Sequence, residues 1–260
     1  VSIRTLMCTD DPWNALDVLG GPVEGPVAFG GDLRPQCLLA AYRCGLYPFP
    51  TSTDEQSIVN ELTYEADVAV GLVKVLPGSD EPYAIAWCSP DPRPVILVEQ
   101  ASFQRSLRRQ LRNTDWTTTA DACFEQVVRQ CREGRAERWL TDELQRGLCA
   151  LHELGHAHSV EVWDGDELVG GVFGVHTGAV FSADSQFTLR SGAGKMAVAD
   201  LTRRFAEAGG LAVDVQRDSD HVRLLGATPI PRAQHLALLA DRVACRPLAT
   251  ERLPARRLAA

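Results

Sequence analysis

The chain has no C-x-x-C pair, no apolar run of 18 residues and no surplus of basic side chains. Each absence bears on function. Its eight cysteines (Cys8, Cys37, Cys44, Cys88, Cys123, Cys131, Cys149 and Cys245) are scattered, which argues against a zinc ribbon. They are expected to be reduced thiols, several of them acting as small core hydrophobes. Without a long apolar run nothing is expected to span a membrane. The stretch Val1-Ser2-Ile3-Arg4-Thr5-Leu6 shows no apolar segment followed by a small-residue cleavage site, so a cytoplasmic protein is expected. A net charge of −8 argues against broad nonspecific nucleic-acid binding but leaves room for a local basic face. Neither an internal repeat nor an exposed heptad pattern appears, and a monomer is the default.

What is present is 260 residues, 45% of them hydrophobic, enough for one large domain or two modest ones. Leu38, Leu39, Tyr42 and Leu46 suit one face of a helix from about Pro35 to Cys44. Residues 51–85 are polar and acidic. Val68–Leu76 alternates enough to predict strands, so this stretch is expected to be a folded insertion or hairpin. Pro94–Val98 is strand-like. Ser102–Asn113 carries Phe103, Leu107 and Leu111 on one helical stripe. Asp121 is placed to cap a second helix, in which Phe124, Val127, Val128 and Cys131 share a face. Thr141 opens a third. Strands follow at Ser159–Trp163, Leu168–Val175 and Ala179–Asp184, then a helix near Lys195–Ala208 ended by Gly209-Gly210, and a strand over Leu211–Gln216.

Four constellations carry chemistry. His152-Glu153-Leu154-Gly155-His156 fits the zinc pattern H-E-x-x-H. Gly155 is a poor interior helix residue and His158–Val162 already alternates as a strand. The two histidines therefore straddle a helix-to-strand turn and are read as structural, with no metal. Arg190-Ser191-Gly192-Ala193-Gly194-Lys195 resembles a phosphate loop, but Leu189 and Met196 break the P-loop pattern. Leu189 also breaks the acetyltransferase pyrophosphate loop. A glycine-rich turn before a helix remains, able to offer N–H groups to an anion or simply to start the helix tightly. Arg105, Arg108, Arg109 and Arg112 lie opposite the leucines of their helix, as a phosphate-steering stripe or as a solvated face. Asp214 and Gln216 alternate along one strand candidate and Asp184 sits on a neighbour, so a carboxylate and an amide can converge on a cleft. Such a set suits acyl transfer, one group handling a proton and the other the ester.

The chain resembles the leucyl/phenylalanyl-tRNA–protein transferase family. The matching stretches are Phe29-Gly30-Gly31-Asp32-Leu33, Ala41-Tyr42-Arg43-Cys44-Gly45-Leu46-Tyr47-Pro48 and Trp87-Cys88-Ser89-Pro90-Asp91-Pro92-Arg93. The longest runs from Leu151-His152-Glu153-Leu154-Gly155-His156-Ala157-His158-Ser159-Val160-Glu161-Val162-Trp163 to Leu168-Val169-Gly170-Gly171. Weaker similarity continues through Asp214-Val215-Gln216 and Leu225-Gly226 to Pro229-Ile230-Pro231-Arg232.

The resemblance implies an α+β fold: a small N-terminal α/β domain (1–94, with 51–85 inserted) packed on a GNAT-like domain, the acyl-CoA N-acyltransferase-like fold (95–245), with a tail over 246–260. A helix, a three-stranded meander, a helix and a strand is the element order of that acyltransferase fold. The resemblance implies an aminoacyl-tRNA donor, a protein N-terminal Arg or Lys as acceptor (the N-degron reaction), and neither metal nor coenzyme A. It assigns Asp214, Gln216 and Asp184 to catalysis. Tyr42, Phe49 and Trp139 fall on aromatic positions for the 3′-adenosine, where stacking on a base is natural. Phe173, Phe181, Gln186, Val198, Leu201, Phe205 and Val213 fall on the aminoacyl side-chain pocket. The four arginines fall on the helix that grips the tRNA acceptor stem.

Departures from the family pattern point to an alternative substrate. Gln186 stands where the family has Met, and a buried amide favours a donor side chain that can bond it. Phe49 replaces a tryptophan and Leu148 a tyrosine. A relative using a more polar aminoacyl-tRNA, such as seryl, with a small-molecule amine acceptor in natural-product assembly is the alternative. A coenzyme A-dependent N-acetyltransferase is the second alternative, against which Leu189 speaks.

Overall fold

The computed structural model describes residues 12–77, 79–133, 139–241 and 245–259. Cys8 lies outside them. Helices and mainly antiparallel sheets make an α+β fold. A four-stranded sheet has the order β2 (Tyr47–Pro50), β4 (Ile85–Cys88), β1 (Pro26–Gly30), β3 (Lys74–Leu76). An eight-stranded sheet runs β11 (Thr228–Ile230), β5 (Arg93–Leu97), β10 (Ala212–Asp214), β9 (Val180–Thr188), β8 (Glu167–Thr177), β7 (Ala157–Asp164), β6 (Thr117–Ala120), β12 (Leu253–Pro254). Neighbours in the larger sheet are antiparallel except β9 and β10.

Two cores cover the faces of the larger sheet. On one, α6 (Ala193–Ala208) and α3 (Arg105–Arg112) bury Met196, Leu201, Phe205, Leu107 and Leu111 against Val160, Val162 and Val172. On the other, α1 (Pro35–Arg43), α4 (Phe124–Arg132) and α5 (Asp142–Glu153) join the smaller sheet around Trp87, Phe29, Leu38, Leu148 and Phe173. Family-like motifs stitch these parts together. The Trp87 indole donates to the Gly30 carbonyl at 2.7 Å, and the Arg232 guanidinium donates to the carbonyls of Gly21 and Pro22 at 3.1 and 3.0 Å.

Several expectations change. The inserted segment is chiefly a helix, α2 (Asp54–Ala69), with only Lys74–Leu76 as a strand. Thr53 caps it by accepting from the Gln56 amide, and Asp54 and Glu55 complement the positive end of the helix dipole. None of its residues is fully buried, and only the half-buried Tyr64 and Val68 pack on the core, too short an apolar stripe to read. Asp121 does not cap α4, whose N-cap is Cys123. With φ 56° it turns back, accepting from the Ser159 amide at 2.9 Å and pairing with His158. Residues set apart as a tail complete the sheet instead: Leu253 and Pro254 pair with Thr118 and Thr117. The 3-10 turn Ala255–Ala259 then buries Leu258 in the α3–α6 core. Arg93 and Pro94, placed before the second-domain boundary, already belong to the larger sheet.

Candidate active site

Strand β10 pairs with β9 only as far as Asp214 opposite Ser182, while β9 runs on to Thr188. The edge left beside β9 is bordered by residues 215–225, and a cavity of about 300 Å³ opens there. Opposite β8, Ala183 pairs with Gly174 and Ser185 with Phe173, so Asp184 is the extra residue of a bulge. Bulges re-aim a side chain, and Asp184 lies on the cavity wall. The expected strand over Leu211–Gln216 is shorter than predicted. It stops at Asp214, and Gln216 adopts φ 63°, an uncommon conformation for a side chain of this kind. Asp214 and Gln216 meet through this turn, not through strand alternation: the Gln216 amide donates to Asp214 Oδ1 at 2.8 Å.

Asp214 is 1% exposed and does not line the cavity. Arg93 grips it with two bonds, Nε to Oδ1 at 2.8 Å and Nη2 to Oδ2 at 2.7 Å. Ser182 Oγ donates at 2.9 Å, and the His235 ring stands 3.5 Å away. Burial alone would raise this carboxyl, but Arg93 and then His235 hold it far below the usual carboxylate range. With its oxygens occupied and its charge locked, Asp214 is unsuited to accept a proton. It orders Gln216.

Asp184 differs. Tyr42 Oη donates to its Oδ2 at 2.7 Å and Gln216 Nε2 to its Oδ1 at 2.5 Å. Burial pushes its carboxyl up to about 7; the Tyr42 and Gln216 hydrogen bonds oppose this, and the negative Asp214 nearby adds to it. A carboxylate that changes state near neutral pH on a cavity wall is suited to proton transfer.

Tyr42 is not a platform for a base. Its ring is 4% exposed on the buried face of α1, and only its hydroxyl reaches the site. Phe49 and Trp139 do line the cavity, nearly parallel with centroids 6.1 Å apart. Of the seven expected pocket residues, Gln186 and Val198 line it. Phe173, Phe181, Leu201, Phe205 and Val213 are at most 1% exposed and pack in the cores, because they occupy the inward faces of the sheet and α6. The apolar wall is instead Val172, Ala183, Val198, Val222 and Leu225. The Gln186 amide is hydrogen-bonded to His221 Nε2. Burial, then Lys195, lowers the pKa of His221 and favours the neutral ring.

Arg105, Arg108, Arg109 and Arg112 stay clear of the buried Leu107 and Leu111, and none pairs with a carboxylate among the described residues. The glycine-rich turn starts α6 tightly, with Gly192 at φ 89°. Its Gly194 amide is already bonded to Thr188 Oγ1. In the H-E-x-x-H stretch, His152 lies in the last turn of α5, stacks on Phe124 and hydrogen-bonds the Ala157 carbonyl, while His156 lies beyond the helix. Arg93, Ser182, His235, Arg217 and His221 had not been singled out. Only Arg93 had a signal, standing at the end of the Trp87–Arg93 stretch.

The family model described as leucyl/phenylalanyl-tRNA protein transferase matches residues 95–240, more than half of the chain. The chain belongs to this family. A leucyl/phenylalanyl-tRNA–protein transferase of Xanthomonas axonopodis pv. citri is 39% identical over 217 residues, 82% of this chain and 76% of the relative. One from Erwinia tasmaniensis is 36% identical over 88% of this chain and 86% of its own length. A solved structure, a functionally unknown conserved protein from Staphylococcus epidermidis, aligns at 13% identity and a TM-score of 0.37 over 53% of this chain and 56% of its own, too slight a likeness to argue from. No helix among the described residues is long and apolar enough to cross a membrane.

Proposed function

We propose that this family member transfers an aminoacyl group from the 3′ end of a tRNA to an amine, with Asp184 as the proton carrier. The chain is an aminoacyltransferase whose relatives are named for leucyl- and phenylalanyl-tRNA and for protein. A protein N-terminus, Arg or Lys by family resemblance, is the acceptor. The observation that carries the mechanism is the Asp184 carboxylate with its pKa near 7, held between Tyr42 and Gln216 on the cavity wall. The acceptor nitrogen attacks the ester carbonyl carbon and gives its proton to Asp184. The C–O bond to the ribose then breaks, and Asp184 returns the proton to the departing 3′ oxygen. Gln216, fixed by Asp214, keeps Asp184 oriented and reaches the same space.

Phe49 and Trp139 hold the terminal adenosine, and the α3 arginines meet acceptor-stem phosphates. The gap between β9 and β10 supports a GNAT-like arrangement for the larger sheet, with the smaller sheet and α1 as the N-terminal unit. The test is transfer of labelled amino acid from a charged tRNA pool to an Arg-terminated peptide. Asp184→Asn is expected to cut kcat by about 10²–10⁴-fold, the usual worth of a positioned proton carrier. Undiminished kcat would remove Asp184 from the chemistry.

The Gln186–His221 pair favours a second reading for the donor, a side chain bearing a hydroxyl or amide. A polar donor side chain gains a hydrogen bond from this pair that an apolar one cannot make. Comparing leucyl-, phenylalanyl- and seryl-tRNA, with a small amine beside the peptide, separates the two.

A further inference from the structure

We infer that Arg217 grips the phosphate of the tRNA's 3′-terminal nucleotide. This rests on the reading that the donor is a nucleotide ester seated on Phe49 and Trp139. Among the described residues lining the cavity, Arg217 is the one arginine or lysine. Its guanidinium lies over the Phe49 ring, 4.9 Å from the centroid, and reaches the Tyr47 hydroxyl. It is exposed and pairs with no carboxylate among the described residues; the adjacent Asp218 is taken by Arg223 at 2.9 Å.

Its place is fixed by the chemistry next to it. Arg217 follows Gln216, whose backbone is pinned by Asp214, so the arginine leaves the main chain at the cavity mouth. The surroundings are hostile to phosphate. A second cavity, about 310 Å³, shares Phe49 and Trp139 with the first and is lined by Glu55 of α2. That helix carries Asp54, Glu55, Glu61, Glu65 and Asp67 and no lysine or arginine. A nucleotide stacked on Phe49 brings its phosphate beside this acidic wall, within the sweep of a side chain already resting on the same ring. A guanidinium offers a phosphate two parallel hydrogen bonds, and the cation–π contact parks it there until the phosphate arrives.

The test is calorimetric titration with 5′-AMP and with adenosine, on the wild-type chain, Arg217→Gln and Arg217→Lys. Wild type is expected to bind AMP about tenfold or more tightly than adenosine, as a charge-assisted contact gives. Arg217→Gln brings the ratio close to one, and Arg217→Lys keeps part of it. In transfer assays Arg217→Gln raises KM for aminoacyl-tRNA more than it lowers kcat, and the slope of log KM against log salt falls by about 0.7, one single-strand phosphate contact. Equal binding of AMP and adenosine by wild type overturns the inference. So does an Arg217→Gln loss equal for both ligands, which would make the arginine a mere buttress of Phe49. An effect confined to the KM of carboxylate-bearing acceptors overturns it as well. An AMP preference that depends on Arg217, with no transfer from any aminoacyl-tRNA, leaves the phosphate site standing and removes the transferase reading.

Discussion

Asp214 and Asp184 are both hydrogen-bonded to Gln216, one to its backbone amide and the other to its side chain, yet they behave as opposites. Around Asp214 the sheet closes, and Arg93, Ser182 and His235 surround the carboxylate with donors and positive charge. Around Asp184 the sheet opens at a bulge, and its two partners are the neutral Tyr42 and Gln216. Burial pushes both carboxyls upward; a guanidinium overrides it at the first and nothing cationic of that strength touches the second. The difference teaches that burial does not by itself mark a catalytic acid. The partner's charge decides: it keeps one aspartate ionised and leaves the other able to change state near neutral pH, as the proposed proton transfer requires.

Replacing each aspartate should expose this division. Asp214→Asn leaves Arg93 buried beside a neutral amide, which costs roughly 3–5 kcal/mol. A large fall in denaturant midpoint is expected, with loss of activity following from the lost Gln216 turn. Asp184→Asn should instead melt at or above wild type at pH 6 while losing turnover. If Asp214→Asn proves as stable as wild type, the locked carboxylate is wrong. The pH sign differs too. Asp184 has its folded-state pKa raised, so its stabilising contribution is complete below about pH 4 and is lost as pH rises through about 7. Wild type should therefore lose stability relative to Asp184→Asn between those limits. Activity runs the other way. The ionised carboxylate is the competent form, so wild-type rate should climb through about pH 7. A wild-type profile flat from pH 5 to 9 with good substrate would sink the assignment.

Legibility in the sequence followed the same line between packing and chemistry. The helices at Pro35, Thr141 and Lys195 and the β7–β9 meander were readable because apolar spacing or a cap residue marks them. The sequence names the three polar residues of the site and groups them as catalytic, but it cannot tell the locked aspartate from the free one, because Arg93 and Asp214 are 121 positions apart and no local pattern links them. The side-chain pocket was misjudged for a related reason. Phe173, Phe181 and Phe205 read as a wall of rings, but which face of a strand looks into a cavity depends on the bulge at Asp184, invisible to periodicity. Helix α2 shows the converse. Thr53-Asp54-Glu55-Gln56 is a capping-box sequence that could have announced it, and it was hidden by the lack of a buried face.

A smaller effect should separate the cavity from the surface that feeds it. Arg108→Ala with Arg109→Ala removes two cations that have no carboxylate partner among the described residues. KM for aminoacyl-tRNA should rise, and the slope of log affinity against log salt should fall by up to about 1.8, two duplex phosphate contacts. kcat should be nearly unchanged. A loss in kcat with an unaltered salt slope would place these arginines outside the tRNA path and return them to a solvated helix face.

The smallest expected change is the most exacting for the Asp184 side of the comparison. Tyr42→Phe deletes one hydroxyl whose hydrogen bond holds the Asp184 pKa down against burial. The ring stays in the core, so stability should move little. The acid limb of the rate profile should shift to higher pH, and the plateau at alkaline pH should persist, because Gln216 still orients the carboxylate. Loss of activity at every pH would mean that Tyr42 acts on the substrate itself. A limb shifted to lower pH would mean that the hydroxyl accepts from a protonated Asp184 instead of donating to the carboxylate, and the proton would have to start on the opposite partner.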